Sequence, residues 1–186
     1  MSKSRMLVSI DTGLATFGMA LLDIDTGKLV QLGHVRTAKS DKKRQVSNSS
    51  DIVRRAREVC LGLRAFTASR EGDIVAVAHE SLSLPRNSRA AALIGISLGI
   101  VVDFATSLHV PVLEVYPQDV KLGTAGKKSA SKEEVRAALG KMQPNLEVLV
   151  ADLGIPATQQ EHPIDAAAVG QCALTHDLIN ILKAVR

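Results

Sequence analysis

The chain has 186 residues, 46% of them hydrophobic, with a mean hydropathy of +0.12 and a net charge of +4 from 23 Lys and Arg against 19 Asp and Glu. That suits one domain with a sizeable core, leaves little room for a second, and permits a polyanionic partner without requiring one. Cys60 and Cys172 stand outside any metal-ligand spacing, and three Phe, one Tyr and no Trp cannot build a base-stacking platform, so any nucleic acid would be held by backbone charge and shape.

Strand signals come first. Residues 6–11, 17–23 and 28–36 are apolar or alternating, and the Asp25-Thr26-Gly27 turn joins the second and third into a hairpin. The polar, basic stretch 37–50 reads as an exposed loop, and a helix follows over 51–69 with Ile52, Val59, Leu63 and Phe66 on one side. Residues 74–80 form a buried strand, 87–108 a long Ala/Leu/Ile/Gly helix, and 110–116 a fifth strand. Helices are expected over 117–122, 131–141, 146–153 and 163–185. This order predicts an α/β fold, a mixed five-stranded sheet flanked by helices in a single domain. The N-terminus runs straight into the first strand without an apolar leader, and no run of about 18 apolar residues occurs. The expectation is an intracellular, cytoplasmic protein that is neither secreted nor membrane-bound.

Two core strands end in acids. Met6-Leu7-Val8-Ser9-Ile10 runs into Asp11, and Ile74-Val75-Ala76-Val77 leads through Ala78 and His79 to Glu80. Carboxyl ends of strands are where open α/β sheets keep their ligands. Gly13 allows a sharp turn or the close approach of a phosphate. A third element is Glu161-His162-Pro163-Ile164-Asp165 before three alanines. Pro favours the first helical position, which would make His162 the cap and put it on one face with Asp165. An acid in a first turn also serves the helix dipole. With Asp11 and Glu80 awaiting partners, a shared site explains more.

Three carboxylates and a histidine suit hard cations such as Mg²⁺ or Mn²⁺ better than zinc. Two such ions about 3.5–4 Å apart would clamp the attacking and leaving oxygens of a phosphodiester hydrolysis. A second chemical feature is the segment 120–132, where Lys121, Lys127, Lys128 and Lys132 surround Gly123 and Gly126. Ser131-Lys132-Glu133-Glu134 fits a capping box, which puts Lys132 in a helix's first turn, a natural phosphate site.

On these residues the chain resembles the RuvC-type Holliday junction resolvases, within the RNase H-like nuclease superfamily. The likeness runs from Ile10-Asp11-x-Gly13 and Gly18, through Glu80 with Arg86-Asn87 beyond it, to the Lys121…Gly126…Lys132 segment and the His162/Asp165 pair. It implies that Asp11, Glu80, His162 and Asp165 hold the metals, while Lys121 and Lys132 neutralise the scissile or an adjacent phosphate. It implies a homodimer that nicks opposing strands of a four-way junction symmetrically in DNA recombination and repair. Many relatives have Asp where His162 stands; here the imidazole would ligate the second ion or help deprotonate water, and activity would fall below pH ~6.5 as it protonates. Relatives often place an apolar or aromatic wedge where this chain has Ser83, so Arg86 and Arg89 would instead act on phosphates. Other branched or flapped DNA would fit the same site, and a non-catalytic DNA-binding module would fit the same fold. Sugar-kinase and actin-like ATPases also open on Asp-x-Gly, but they need two such domains.

Overall fold

The computed structural model describes residues 4–41, 46–82 and 87–185. Its centre is β1 (Met6–Asp11), paired antiparallel with β2 (Thr16–Asp23) and parallel with β4 (Ile74–Glu80). On one side β3 (Leu29–Arg36) extends the hairpin, and on the other β5 (Val112–Val115) runs parallel to β4. The resulting order is β3-β2-β1-β4-β5, the mixed five-stranded sheet that the sequence predicts.

A central strand covered on both faces must be apolar at nearly every position, and Met6, Leu7, Val8 and Ile10 are all fully buried. Met6, Val8 and Ile10 face a core shared with α1 (Asn48–Thr67) and α2 (Ser88–Ser107). Leu7 faces the opposite core, built from α3 (Pro117–Ala125), α4 (Lys132–Met142), α5 (Leu146–Asp152), α6 (Glu161–Ala173) and α7 (Asp177–Ala184).

Helix α6 lies hard against the sheet because small residues let it. Ala166, Ala167 and Ala168 are buried, and Ser9 Oγ donates to the Ala166 carbonyl at 2.7 Å. A Cβ at Gly18 would overlap the His162 carbonyl, and one at Gly170 would overlap Leu22 and Ser9. Close backbone approach is the purpose of glycine at both positions.

Several boundaries differ from the sequence reading. Helix α6 begins at Glu161 with Gln160 as its cap, so His162 is not the cap but lies inside the first turn. Pro163 is tolerated one residue later because first-turn N–H groups have no intrahelical partner anyway. The expected helix 163–185 is two: the chain breaks at 174–176, and the His176 side chain caps α7 by accepting from Leu178 N. Helix α3 runs on through Gly123 to Ala125, and Gly126 ends it in the left-handed conformation at φ 74°. Helix α1 starts inside the stretch expected to be loop, where Ser47 Oγ accepts from Ser50 N.

By length and composition α2 could cross a membrane, although 28% of its most apolar window is buried. Ile100, Val101, Phe104 and Ala105 are the buried side. Ala92, Gly95, Gly99 and Val102 form an exposed stripe on the outer side, and a Cβ at either glycine would meet nothing.

Candidate active site

The two strand-end acids meet through register. Ile10 pairs with His79 across the parallel β1–β4 ladder, so the next residues, Asp11 and Glu80, leave adjacent strands side by side. Side chains alternate across a strand. Ser9 bonds α6 and Ala78 packs in the α6-side core, so Asp11 and Glu80 point to that face too. Helix α6 brings His162 and, one turn on, Asp165 to the same rim. His162 Nδ1 lies 2.6 Å from Asp11 Oδ2, and its Nε2 lies 2.8 Å from Thr16 Oγ1.

Lys132 arrives from α4, whose N-terminus is fixed by the expected capping box: Ser131 Oγ accepts from Glu134 N, and Ser131 N donates to Glu134 Oε2. Its ammonium donates to Asp165 Oδ2 at 3.2 Å and also to Glu161. A cavity of about 100 Å³ lies between α3, α4 and α6, with Glu80, Lys121, Lys132 and Asp165 in its wall and Val120 and Val135 among its apolar lining.

Charge crowding marks this rim. Burial, followed by the negative charges of Asp11 and Asp165, pushes the Glu80 carboxyl up to about 6. Burial also raises Asp165, opposed by Lys132. The hydrogen bond that His162 donates to the Asp11 carboxylate raises His162. On β3, in register with Gly18, His34 is held below its ordinary value by burial and then by the nearby His162 and Arg36.

The structure therefore brings together Asp11, Glu80, His162, Asp165, Lys121 and Lys132. It does not bring the other basic residues there. Lys127 pairs with Glu134 Oε1 at 2.5 Å, Lys128 is exposed on the turn after α3, and Arg89 is exposed in the first turn of α2, on the opposite face. Arg86 and Ser83 lie outside the described residues. Gly13 serves a tight turn: a Cβ there would sit 2.6 Å from the Thr16 carbonyl oxygen.

Thr16 and His34 were missed in the sequence. The signal for Thr16 was available, since it lies two residues before Gly18 on β2 and so on the α6 face. Replacing Thr16 with Val removes one hydrogen bond from His162 Nε2, a loss of about 1 kcal/mol. The expected result is a displaced His162 titration, read by NMR, with unchanged melting; Thr16→Ser restores it. A Val variant with the wild-type titration would show that the hydroxyl does not hold the ring.

The donor set fits a divalent cation. It is hard oxygen plus one imidazole, and its Glu80 and Asp165 are carboxyls raised first by burial and then by the charge of Asp11, a crowding that a cation would relieve. Thr12 Oγ1, next to Asp11, is buried without a hydrogen-bond partner. Among the described residues no three such side chains close around a common point, because His162 is turned to Asp11 and Thr16 and Asp165 to Lys132.

A five-stranded sheet in this order, with acids on the carboxyl rim of two adjacent parallel strands, has the RNase H-like fold. No protein-family model matches the chain. It is 30% identical over 168 residues to the crossover junction endodeoxyribonuclease RuvC of Trichlorobacter lovleyi, covering 89% of this chain and 83% of that protein. Likewise it is 29% identical over 173 residues to RuvC of Parasynechococcus marenigrum, covering 91% and 96%. The chain belongs to the RuvC family of crossover junction endodeoxyribonucleases. Its fold overlays Thermus thermophilus RuvC in complex with a Holliday junction substrate at TM-score 0.67, with 21% identity over 94% of this chain and 96% of that one.

Proposed function

We propose that this protein is a metal-dependent endonuclease that resolves four-way DNA junctions as a homodimer. The observation that carries the reading is the meeting of Asp11 and Glu80, from adjacent parallel strands, with Asp165 and His162 from α6. These four residues would hold Mg²⁺ or Mn²⁺, two ions per site, whose chemistry is to activate water and stabilise the charge on a phosphodiester in displacement. Asp11, Glu80 and Asp165 contribute the negative charge. His162 acts through Nε2, as a ligand or as the acceptor of a proton from water, and Thr16 holds that nitrogen until it is used. Lys132 exchanges Asp165 and Glu161 for a phosphate oxygen, and Lys121 adds a second positive charge at the cavity. For the dimer, the exposed small-residue stripe of α2 gives a second copy a flat apolar face.

The test is cleavage of a mobile four-way junction, a flap and a linear duplex, each with Mg²⁺, Mn²⁺ or EDTA. Junction cleavage in paired nicks, dependent on the metal, is expected. Faster cutting of the flap would move the assignment to other branched DNA, and tight binding without cleavage would make the chain a binding module.

Lys132→Ala should lower the single-turnover rate on the order of 10²-fold while changing junction affinity less than about threefold, because the ammonium stabilises charge that grows during displacement. An unchanged rate would return Lys132 to a surface role.

Acid should inactivate the enzyme. Glu80 and Asp165 have raised pKa values, so each takes up a proton, and loses its hold on a cation, at a higher pH than an ordinary carboxylate. His162, also raised, protonates above its ordinary value. All three shifts have one sign, so cleavage falls as pH drops, with Glu80 protonating at about 6. Because protons and cations compete, more Mg²⁺ should move the acid limb to lower pH. A limb indifferent to Mg²⁺ would separate these groups from metal binding.

A further inference from the structure

We propose that a second phosphate site lies on the face of the sheet opposite α6, where the first turns of α1 and α2 meet over the buried guanidinium of Arg55. Its ligand is a phosphate of the DNA backbone other than the scissile phosphate, so the inference rests on the junction-cleaving reading and deepens it.

A cavity of about 270 Å³ is walled there by Lys39, Asn48, Arg55 and Arg89, with Asp41 and Asp51. Arg55 is only 4% exposed. Its Nε donates to Thr37 Oγ1 at 2.8 Å, but its nearest carboxylate oxygen, Asp51 Oδ2, is 4.0 Å from Nη1. That is too far for a hydrogen bond, and among the described residues Arg55 makes no side-chain hydrogen bond besides the one from Nε to Thr37. Asp51 is engaged elsewhere: its Oδ1 accepts from Ser40 N, Ser40 Oγ and Arg54 Nη2 at 2.8, 2.7 and 2.8 Å.

A buried charge left without hydrogen bonds is costly, and a forked guanidinium is matched by two phosphate oxygens. The setting favours an anion. Asn48 and Arg89 lie in the first turns of helices 20 residues long, whose N-terminal dipole ends attract negative charge. Lys39 and Arg89 are exposed and can meet an incoming strand.

The pocket also shares the catalytic rim. Thr37, which Arg55 holds, follows the last residue of β3 and grips the loop after Asp11: its N donates to the Ala15 carbonyl at 2.9 Å and its Oγ1 to the Leu14 carbonyl at 2.5 Å. Helix α1 follows β3 and α2 follows β4, and both strands end on the same side of the sheet as β1. A strand laid across this rim gives one phosphate to the carboxylates on the α6 side and another to Arg55 on the far side.

The experiment measures junction affinity of the full chain by fluorescence anisotropy in EDTA over a range of salt. Lys39→Ala/Arg89→Ala should bind about tenfold more weakly and flatten the log K against log[salt] slope by about 1–2, one per lost phosphate contact. Arg55→Gln should weaken binding severalfold; if it fails to fold, the exposed pair still decides. A junction carrying one neutral methylphosphonate, stepped along the strand near the cut, should bind wild type more weakly at one position and the Arg55→Gln or double variant equally at every position. Folded variants with wild-type affinity and slope would overturn the pocket while leaving the function intact. Inorganic phosphate that raises the melting temperature through Arg55, with no sensitive methylphosphonate position, would overturn DNA as the source. Wild type that neither binds nor cuts junctions would strike the reading on which the pocket rests.

Discussion

Asp11→Asn is expected to slow junction cleavage by at least about 10³-fold, roughly 4 kcal/mol of transition-state stabilisation, while junction binding persists. The amide is the right shape to keep the fold: its oxygen can still accept from His162 Nδ1, the bond that is 2.6 Å in the wild type. What it lacks is charge. A neutral ligand at the strand end weakens cation binding, and cleavage fails with it. Binding should hold or tighten, since one negative charge facing the phosphate is gone. The same change removes one of the charges that push Glu80 upward and the hydrogen bond to a carboxylate that raises His162. Both groups should then titrate lower, readable by NMR in the metal-free protein. Anisotropy in EDTA and single-turnover cleavage in Mg²⁺ separate the effects. Cleavage within tenfold of wild type, with Mg²⁺ present, would remove Asp11 from the metal site.

The acids were legible because their cause is local. An apolar strand that ends in a carboxylate shows itself in six or seven residues, and two such strands in one chain make the rim readable without knowing which strands are neighbours. Capping at Ser131 was legible for the same reason, since its residues lie within one turn. His162 shows the limit. Its pairing with Asp165 follows from helical spacing, but its contacts with Asp11 and Thr16 depend on where α6 lands on the sheet, set by residues 150 positions away. Proline also misled: it marked the helix start two residues late, because it is tolerated throughout a first turn. The break at 174–176 was hidden by an apolar pattern that continues through it, and the end of α3 because Gly123, beyond the expected helix of 117–122, is itself helical. Arg55 lies mostly off the apolar side that Ile52, Val59, Leu63 and Phe66 mark on its helix, yet it is buried. Its burial comes from the covering stretch 37–41, which no periodicity predicts.

Gly18→Ala should damage fold and site together. The added Cβ would overlap the His162 carbonyl and come within 2.8 Å of Pro163 N. Both are backbone atoms in the first turn of α6, so no side-chain rotation relieves the clash and the N-terminal end of the helix must lift from β2. Overpacking of this kind costs about 1–3 kcal/mol, a fall in melting temperature of roughly 2–12 °C for a chain of this size. The lift also carries His162 away from Asp11, so cleavage per folded molecule and Mg²⁺ affinity should drop by at least about tenfold, the equivalent of 1.4 kcal/mol. Gly170→Ala is the control. It crowds Ser9 and the tip of Leu22, about 12 Å further along α6 at 1.5 Å per residue. Its melting temperature should fall by a similar amount, while the first turn, and with it Mg²⁺ affinity and the rate per folded molecule, stays near wild type. Calorimetric melting, Mg²⁺ titration and single-turnover cleavage on both variants decide the matter. If Gly18→Ala melts early yet cuts like Gly170→Ala, the seat of α6 on β2 supports the fold but does not set the distance between His162 and Asp11.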